Sequence, residues 1–170
     1  MKKIIVSICV LFLVSATAFT QSRSRTTRRG ASTKPAASSS TNAGAIKTEG
    51  ATRIATQIKN LTTFLYLVGG VAKDVESLDA AAKTGQASPT NERNKAQLKA
   101  SFEDFRVGLD QLEIYFRSTP ELQPYYVKLV GSASGAAAAE DLAGQGHFTQ
   151  AGRSLIGVVG RLADVLVAIR

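Results

Sequence analysis

The sequence predicts an all-α protein: an up-and-down antiparallel four-helix bundle, preceded by a disordered tail and an N-terminal signal helix. Four stretches beyond residue 47 carry apolar residues at alternating steps of three and four, the spacing of a helix with one buried face. Turns rich in Gly, Ser and Pro separate these stretches. Alternating runs of β-branched residues joined by hairpin turns do not occur in the sequence, so no sheet is expected.

The first residues have the pattern of a secretory signal peptide, which we predict to span residues 1–18. Lys2 and Lys3 precede an apolar run over residues 4–14, and a small-x-small motif ends at Ala18. Cleavage is predicted after Ala18, with Thr20 as the alternative. The apolar run is shorter than the ~20 residues that a membrane-spanning helix needs. We therefore expect an exported protein, periplasmic or extracellular, with no transmembrane segment in the mature chain.

The cysteine content limits the chemistry of the exported chain. The sequence has 1 Cys, Cys9, and it lies inside the predicted leader. Disulfides, thiolate nucleophiles and cysteine metal sites are therefore not expected after cleavage. The stability of the mature chain should come from packing.

Residues 19–47 form a basic tail rich in Ser, Thr, Ala and Arg, which we predict to be disordered. Such a composition buries too little apolar surface to offset the entropy of ordering. The tail is interpreted either as a solvated spacer or as a cationic arm that binds an anionic component of the cell envelope. The residues predicted to make these contacts are Arg23, Arg25, Arg28 and Arg29.

The location of the charge argues against a nucleic-acid-binding domain. The net charge is +8, but from residue 48 onward 13 Lys and Arg balance 13 Asp and Glu. A folded domain that binds nucleic acid would concentrate positive charge on its own surface. Nucleic acid is therefore an unlikely partner for the bundle.

The bundle domain is predicted over residues 48–170, with helices at about 50–83, 89–117, 121–143 and 147–170. Short connections between long amphipathic helices predict that each helix packs antiparallel to the one before it. Pro124 predicts an irregular start to the third helix. The core-facing residues of the second and fourth helices are expected to be Leu98, Phe102, Phe105, Leu109, Leu112, Phe116 and Phe148, Ala151, Leu155, Val158, Leu162, Val165, Ile169.

Small residues in the first and third helices allow two interpretations. They let neighbouring backbones approach closely, or they leave an apolar pocket in the middle of the bundle. The residues predicted to line that pocket are Gly69, Gly70, Gly131 and Gly135. The first two lie inside a predicted helix, where each costs ~1 kcal/mol relative to Ala, so a kink or break is expected there as an alternative.

Two further surfaces are candidates for contacts with partners. The first helix carries no charge over residues 60–72, and Phe64, Tyr66 and Leu67 lie off its main apolar stripe, which favours a homo-oligomer contact. Aromatic residues also flank the turn before the third helix. Tyr115 and Tyr125 are interpreted either as capping one end of the core or as a partly exposed binding end.

No motif in the sequence predicts a reaction or a cofactor. His147 is the single His of the chain and cannot complete a metal site alone, so we expect it to be exposed or to cap a helix. The Gly-x-Ser-x-Gly elbow, the phosphate-binding loop and the dinucleotide-binding motif are missing from the sequence. We expect no catalytic residue, no metal and no cofactor, and hence no enzyme.

One segment resembles a known repeat. Residues 139–155, with Gly146, Phe148, Ala151 and Leu155, resemble the turn and second-helix start of a tetratricopeptide repeat. The spacing does not recur at 34-residue steps upstream, as a repeat array requires. The resemblance therefore predicts a tight helical hairpin and no family.

These observations together favour an exported, non-enzymatic helical protein that binds or scaffolds a component of the cell envelope. The alternative is a carrier of a small apolar ligand in a mid-bundle pocket. The identity of the partner and the oligomeric state do not follow from the sequence.

Overall fold

The computed structural model describes residues 38–82 and 88–170, and this part of the chain is helical, with no strand. Its helices are α1 (Ser38–Ala82), α2 (Pro89–Ser118), α3 (Gln123–Leu129), α4 (Ser132–Gly144) and α5 (Phe148–Ile169). The all-α prediction is confirmed. The predicted signal peptide (1–18) and residues 19–37 of the predicted tail lie outside the described residues.

Helix α1 begins at Ser38, well before the predicted start at residue 50. The prediction of a disordered tail is therefore wrong for residues 38–47. Ile46 packs against the edge of the core, and Lys47 Nζ lies 5.7 Å from the centroid of the Tyr125 ring. These contacts anchor the early turns of α1 to α3, which composition alone does not reveal.

The threonine hydroxyls of α1 donate hydrogen bonds to carbonyls of the same helix, and the helix remains continuous. Thr48 Oγ1 donates to the carbonyl of Gly44 at 2.9 Å, and Thr52 Oγ1 donates to the carbonyl of Thr48 at 2.8 Å. This back-bonding to the carbonyl four residues earlier gives each hydroxyl a partner inside the helix, and α1 continues through the Thr-rich segment. The helix also continues through Gly69 and Gly70, so the break considered there does not form.

Helices α1 and α2 run antiparallel to each other. At one end Asn91 Nδ2, near the start of α2, donates to the carbonyl of Val75 at 3.3 Å. At the other end Phe116, near the end of α2, lies beside Gly50 of α1. The short connection between them leaves no other arrangement.

Helix α2 pairs with α4 in the same antiparallel sense. Lys99 Nζ donates to the carbonyl of Gly144 at 3.0 Å, and the backbone N–H of Ala133 donates to Glu113 Oε1 at 2.9 Å. Helix α5 packs against both α1 and α4. Each of the long helices therefore has two long neighbours around a shared core.

The predicted third helix is divided into α3 and α4 at Val130 and Gly131. Gly131 has φ 91°, a left-handed conformation that glycine adopts without strain and that ends a helix. Ser132 Oγ donates to the carbonyl of Leu129 at 2.7 Å and satisfies the end of α3. The predicted irregular start at Pro124 is thus a short separate helix, and the break itself was not predicted.

The core is formed by the apolar stripes of all the helices. The stripe predicted for α5 is buried in full, and that of α2 is buried at Phe102, Leu109, Leu112 and Phe116, with Leu98 and Phe105 half-buried. In α4 the buried face consists of Ser132 and alanines. These alanines are Ala133, Ala136, Ala139 and Ala143.

Candidate functional site

The arginines predicted to contact an anionic partner all lie outside the described residues: Arg23, Arg25, Arg28 and Arg29. Their role stays a prediction.

The structure does not form the predicted mid-bundle pocket at the glycines of α1. Gly69 and Gly70 lie exposed on the outer side of the helix, with no atom within 4 Å of the position that a Cβ would take. The inward side at this level is taken by Val68 and Ala72, which are buried. Because the two glycines face solvent, the prediction that they line an interior pocket is wrong.

The two glycines of the predicted third helix have separate structural roles. Gly131 forms the turn between α3 and α4, as described above. Gly135 packs against α5, where Val158 Cγ2 lies 2.9 Å from an ideal Cβ position. The close-approach interpretation of these small residues is therefore the one that holds at Gly135.

The residues predicted as an oligomer contact on α1 do not act together. Phe64 is half-buried, with its ring centroid 5.1 Å from that of Phe102 and 4.9 Å from that of Phe105. Tyr66 is 84% exposed and Leu67 is 44% exposed. Phe64 belongs to the core, so the predicted three-residue contact is reduced to two exposed side chains.

The aromatic end of the bundle is covered by cations from α1. Arg53 Cζ lies 4.1 Å from the centroid of the Tyr115 ring, and Lys47 approaches Tyr125 as described above. Burial of the Tyr115 phenol raises its pKa above the ordinary value, with a further contribution from the charge of Glu49. Both tyrosines are half-buried, and their ring faces are occupied by cation–π contacts within the chain.

A cleft of about 500 Å³ lies where the start of α5 meets the end of α1. Glu76 lines this cleft: its Oε1 accepts the backbone N–H of Thr149 at 2.8 Å and its Oε2 accepts the Thr149 hydroxyl at 2.9 Å. The free N–H groups at a helix start attract anions, and here a carboxylate of the chain already fills that role. His147 is exposed at this turn.

The side of α5 opposite its buried stripe is exposed, and we name it the outer face of α5. All six of its residues are exposed, and they recur at steps of three and four: Gln150, Arg153, Gly157, Gly160, Asp164 and Val167. Among the described residues, nothing beyond the local turns of α5 lies within 4 Å of a Cβ position at Gly157 or Gly160. Arg153 and Asp164 form no ion pair within residues 38–82 and 88–170.

The outer face of α5 borders a groove of about 800 Å³, whose other wall is Lys128 of α3. Arg161 closes one side of the groove, because its Nη1 donates to the carbonyl of Val130 at 2.7 Å. Val167, which lines the groove, is 76% exposed. The groove is shallow and open to solvent.

This groove was not predicted from the sequence. The steps of three and four across the outer face of α5 are those of a second helix-packing stripe. Because glycines and charged residues form this stripe, the apolar periodicity of the sequence does not indicate it.

Neither metal binding nor membrane crossing finds support in the residues that the structure describes. Over residues 38–82 and 88–170, His, Cys, Asp and Glu side chains do not gather in groups of three that could hold a metal ion. Within the same ranges, none of the helices has the length and apolar character needed to cross a bilayer.

Comparison with known proteins identifies no relative: no protein-family model, no curated protein and no solved structure matches the chain.

Proposed function

We propose that the chain is an exported, non-enzymatic binding or scaffolding protein of the cell envelope. An up-and-down antiparallel four-helix bundle supplies the specific contact, and the basic tail holds the protein against an anionic envelope component. The signal-peptide pattern of residues 1–18 supports export.

The observation that carries the proposal is the separation of charge along the chain. Residues 19–47 contain several arginines and no acidic residue, whereas positive and negative residues balance over 48–170. Within the bundle, charges pair between helices: Arg106 Nε lies 2.6 Å from Glu140 Oε2, and Lys95 Nζ lies 2.7 Å from Asp79 Oδ1. The unbalanced charge therefore lies in the tail, where it is available to an anionic surface.

The experiment replaces Arg23, Arg25, Arg28 and Arg29 with Gln and measures co-sedimentation with vesicles. The vesicles contain equal parts of phosphatidylcholine and phosphatidylglycerol. An arginine near an anionic surface contributes about 1 kcal/mol, so losing all of them should weaken binding by roughly a hundred- to a thousandfold at low salt. The difference should shrink as added salt screens the charges.

A matched control removes the same charge from the bundle. It carries Gln at exposed positions that form no ion pair among the described residues: Lys59, Arg93, Arg117 and Arg170. Binding of this control should fall far less than that of the tail variant. Equal binding by the tail variant and the unchanged protein would remove the tail from the proposed mechanism.

A further inference from the structure

The outer face of α5 is self-complementary when two copies are set antiparallel. In the register that places Gly157 opposite the partner's Gly160, Arg153 lies opposite the partner's Asp164. Gln150 then lies opposite the partner's Val167. Steps of three and four produce this matching of positions between antiparallel helices.

We propose that the chain forms a two-fold symmetric dimer through the outer face of α5, with the partner helix lying in the groove beside Lys128. A two-fold axis applies each contact twice, so a single Arg153–Asp164 match gives two intermolecular ion pairs. Both side chains are exposed and without an ion pair among the described residues. Charge complementarity of this kind selects a second copy over an unrelated partner.

Backbone geometry favours the same arrangement. Gly157 and Gly160 occupy the centre of the proposed contact, and nothing projects from α5 at these positions. Two helices can approach closely where small residues face each other. The exposed side chain of Val167, 76% accessible in the single chain, would be covered by the partner's Gln150.

The test is a charge swap followed by analytical ultracentrifugation of the purified protein over a range of concentrations. The dimer contains the contact between positions 153 and 164 twice. Arg153→Asp places two negative charges at each of these contacts, and Asp164→Arg places two positive charges there. Each single variant should raise the dimer dissociation constant by about tenfold or more, while the double variant should return to within about threefold of the unchanged protein.

Arg93→Asp is the matched control, because Arg93 is an exposed arginine on α2 with no ion pair among the described residues. It should dimerise like the unchanged protein. Circular dichroism of every variant checks that the helices are intact, as expected for changes at exposed positions. A weak specific contact has a dissociation constant below ~100 μM. The proposal would be overturned if the unchanged protein were still monomeric at that concentration. A double variant that does not recover dimerisation would overturn it as well.

Discussion

The starts of two helices are capped by glutamates from other helices. Neither α4 nor α5 has a side-chain cap from its own N-cap residue, which is Gly131 for α4 and His147 for α5. Glu113 of α2 accepts a backbone N–H of α4, and Glu76 of α1 accepts one of α5. These contacts satisfy N–H groups that have no partner inside their own helix and place a negative charge at its positive end.

We expect Glu76→Ala to destabilise the bundle by about 1–2 kcal/mol, because it removes both the cap and the hydrogen bond to the Thr149 hydroxyl. Urea unfolding followed by circular dichroism measures the change. Glu103→Ala is the control, since Glu103 is an exposed glutamate on α2 with no hydrogen bond or ion pair among the described residues. Equal losses in the two variants would show that Glu76 does not act as a cap.

At the scale of the element, α4 is distinguished by small residues that bring α5 close. Ala136, Ala139 and Ala143 form its buried face, and Gly135 stands against Val158 of α5. An added side chain at Gly135 would displace Val158, which is itself buried. Small side chains here set the distance between the two helices.

Gly135→Leu should therefore cost roughly 1–3 kcal/mol of stability through overpacking. Ala138→Leu, at an exposed position of the same helix, should change stability little and serves as the matched control. Thermal unfolding of the two variants decides the point. If the Gly135→Leu protein is as stable as the control, the α4–α5 contact can accommodate a larger side chain and the overpacking prediction is wrong.

The whole molecule is joined by polar contacts between helices as well as by its core. Lys95 of α2 contacts Asp79 of α1, and its pKa is raised above 10.5, first by the hydrogen bond to that carboxylate. Tyr115 of α2 packs under Arg53 of α1, and burial raises its pKa above 10.0. Both groups couple the protonation of the protein to the packing of α1 against α2.

These shifts predict that stability falls in alkaline solution. A folded-state pKa above the unfolded-state value stabilises the protein fully below the unfolded value, and the contribution is lost as pH rises through the folded one. Melting temperature should therefore decline above about pH 10. Tyr115→Phe should make the decline shallower, whereas Tyr66→Phe, at a tyrosine that is 84% exposed, should follow the unchanged protein. Identical pH profiles for the two variants would contradict the role of Tyr115.

The local sequence pattern was sufficient to predict much of the fold. The bounds of α2 and α5 and the buried stripe from Phe148 to Ile169 follow from apolar spacing, Pro89 and the Gly-rich turn at 144–146, all of which act within a few residues. The same reasoning reached only part of the candidate site. It located α5 but not its outer face, because that face is formed mainly by glycines and polar or charged residues and carries no apolar stripe.

The composition of the sequence indicated a cationic tail and a charge-neutral domain. Its periodicity predicted a helical chain, because helix formation depends mainly on residues that are near each other in the sequence. Distant residues decided the rest. The early turns of α1 contact Tyr125 of α3, and the caps of α4 and α5 come from Glu113 and Glu76. Gly69 faces outward because the buried core lies on the opposite side of α1. Such contacts join atoms far apart in the chain, and only the packed structure brings them within bonding distance.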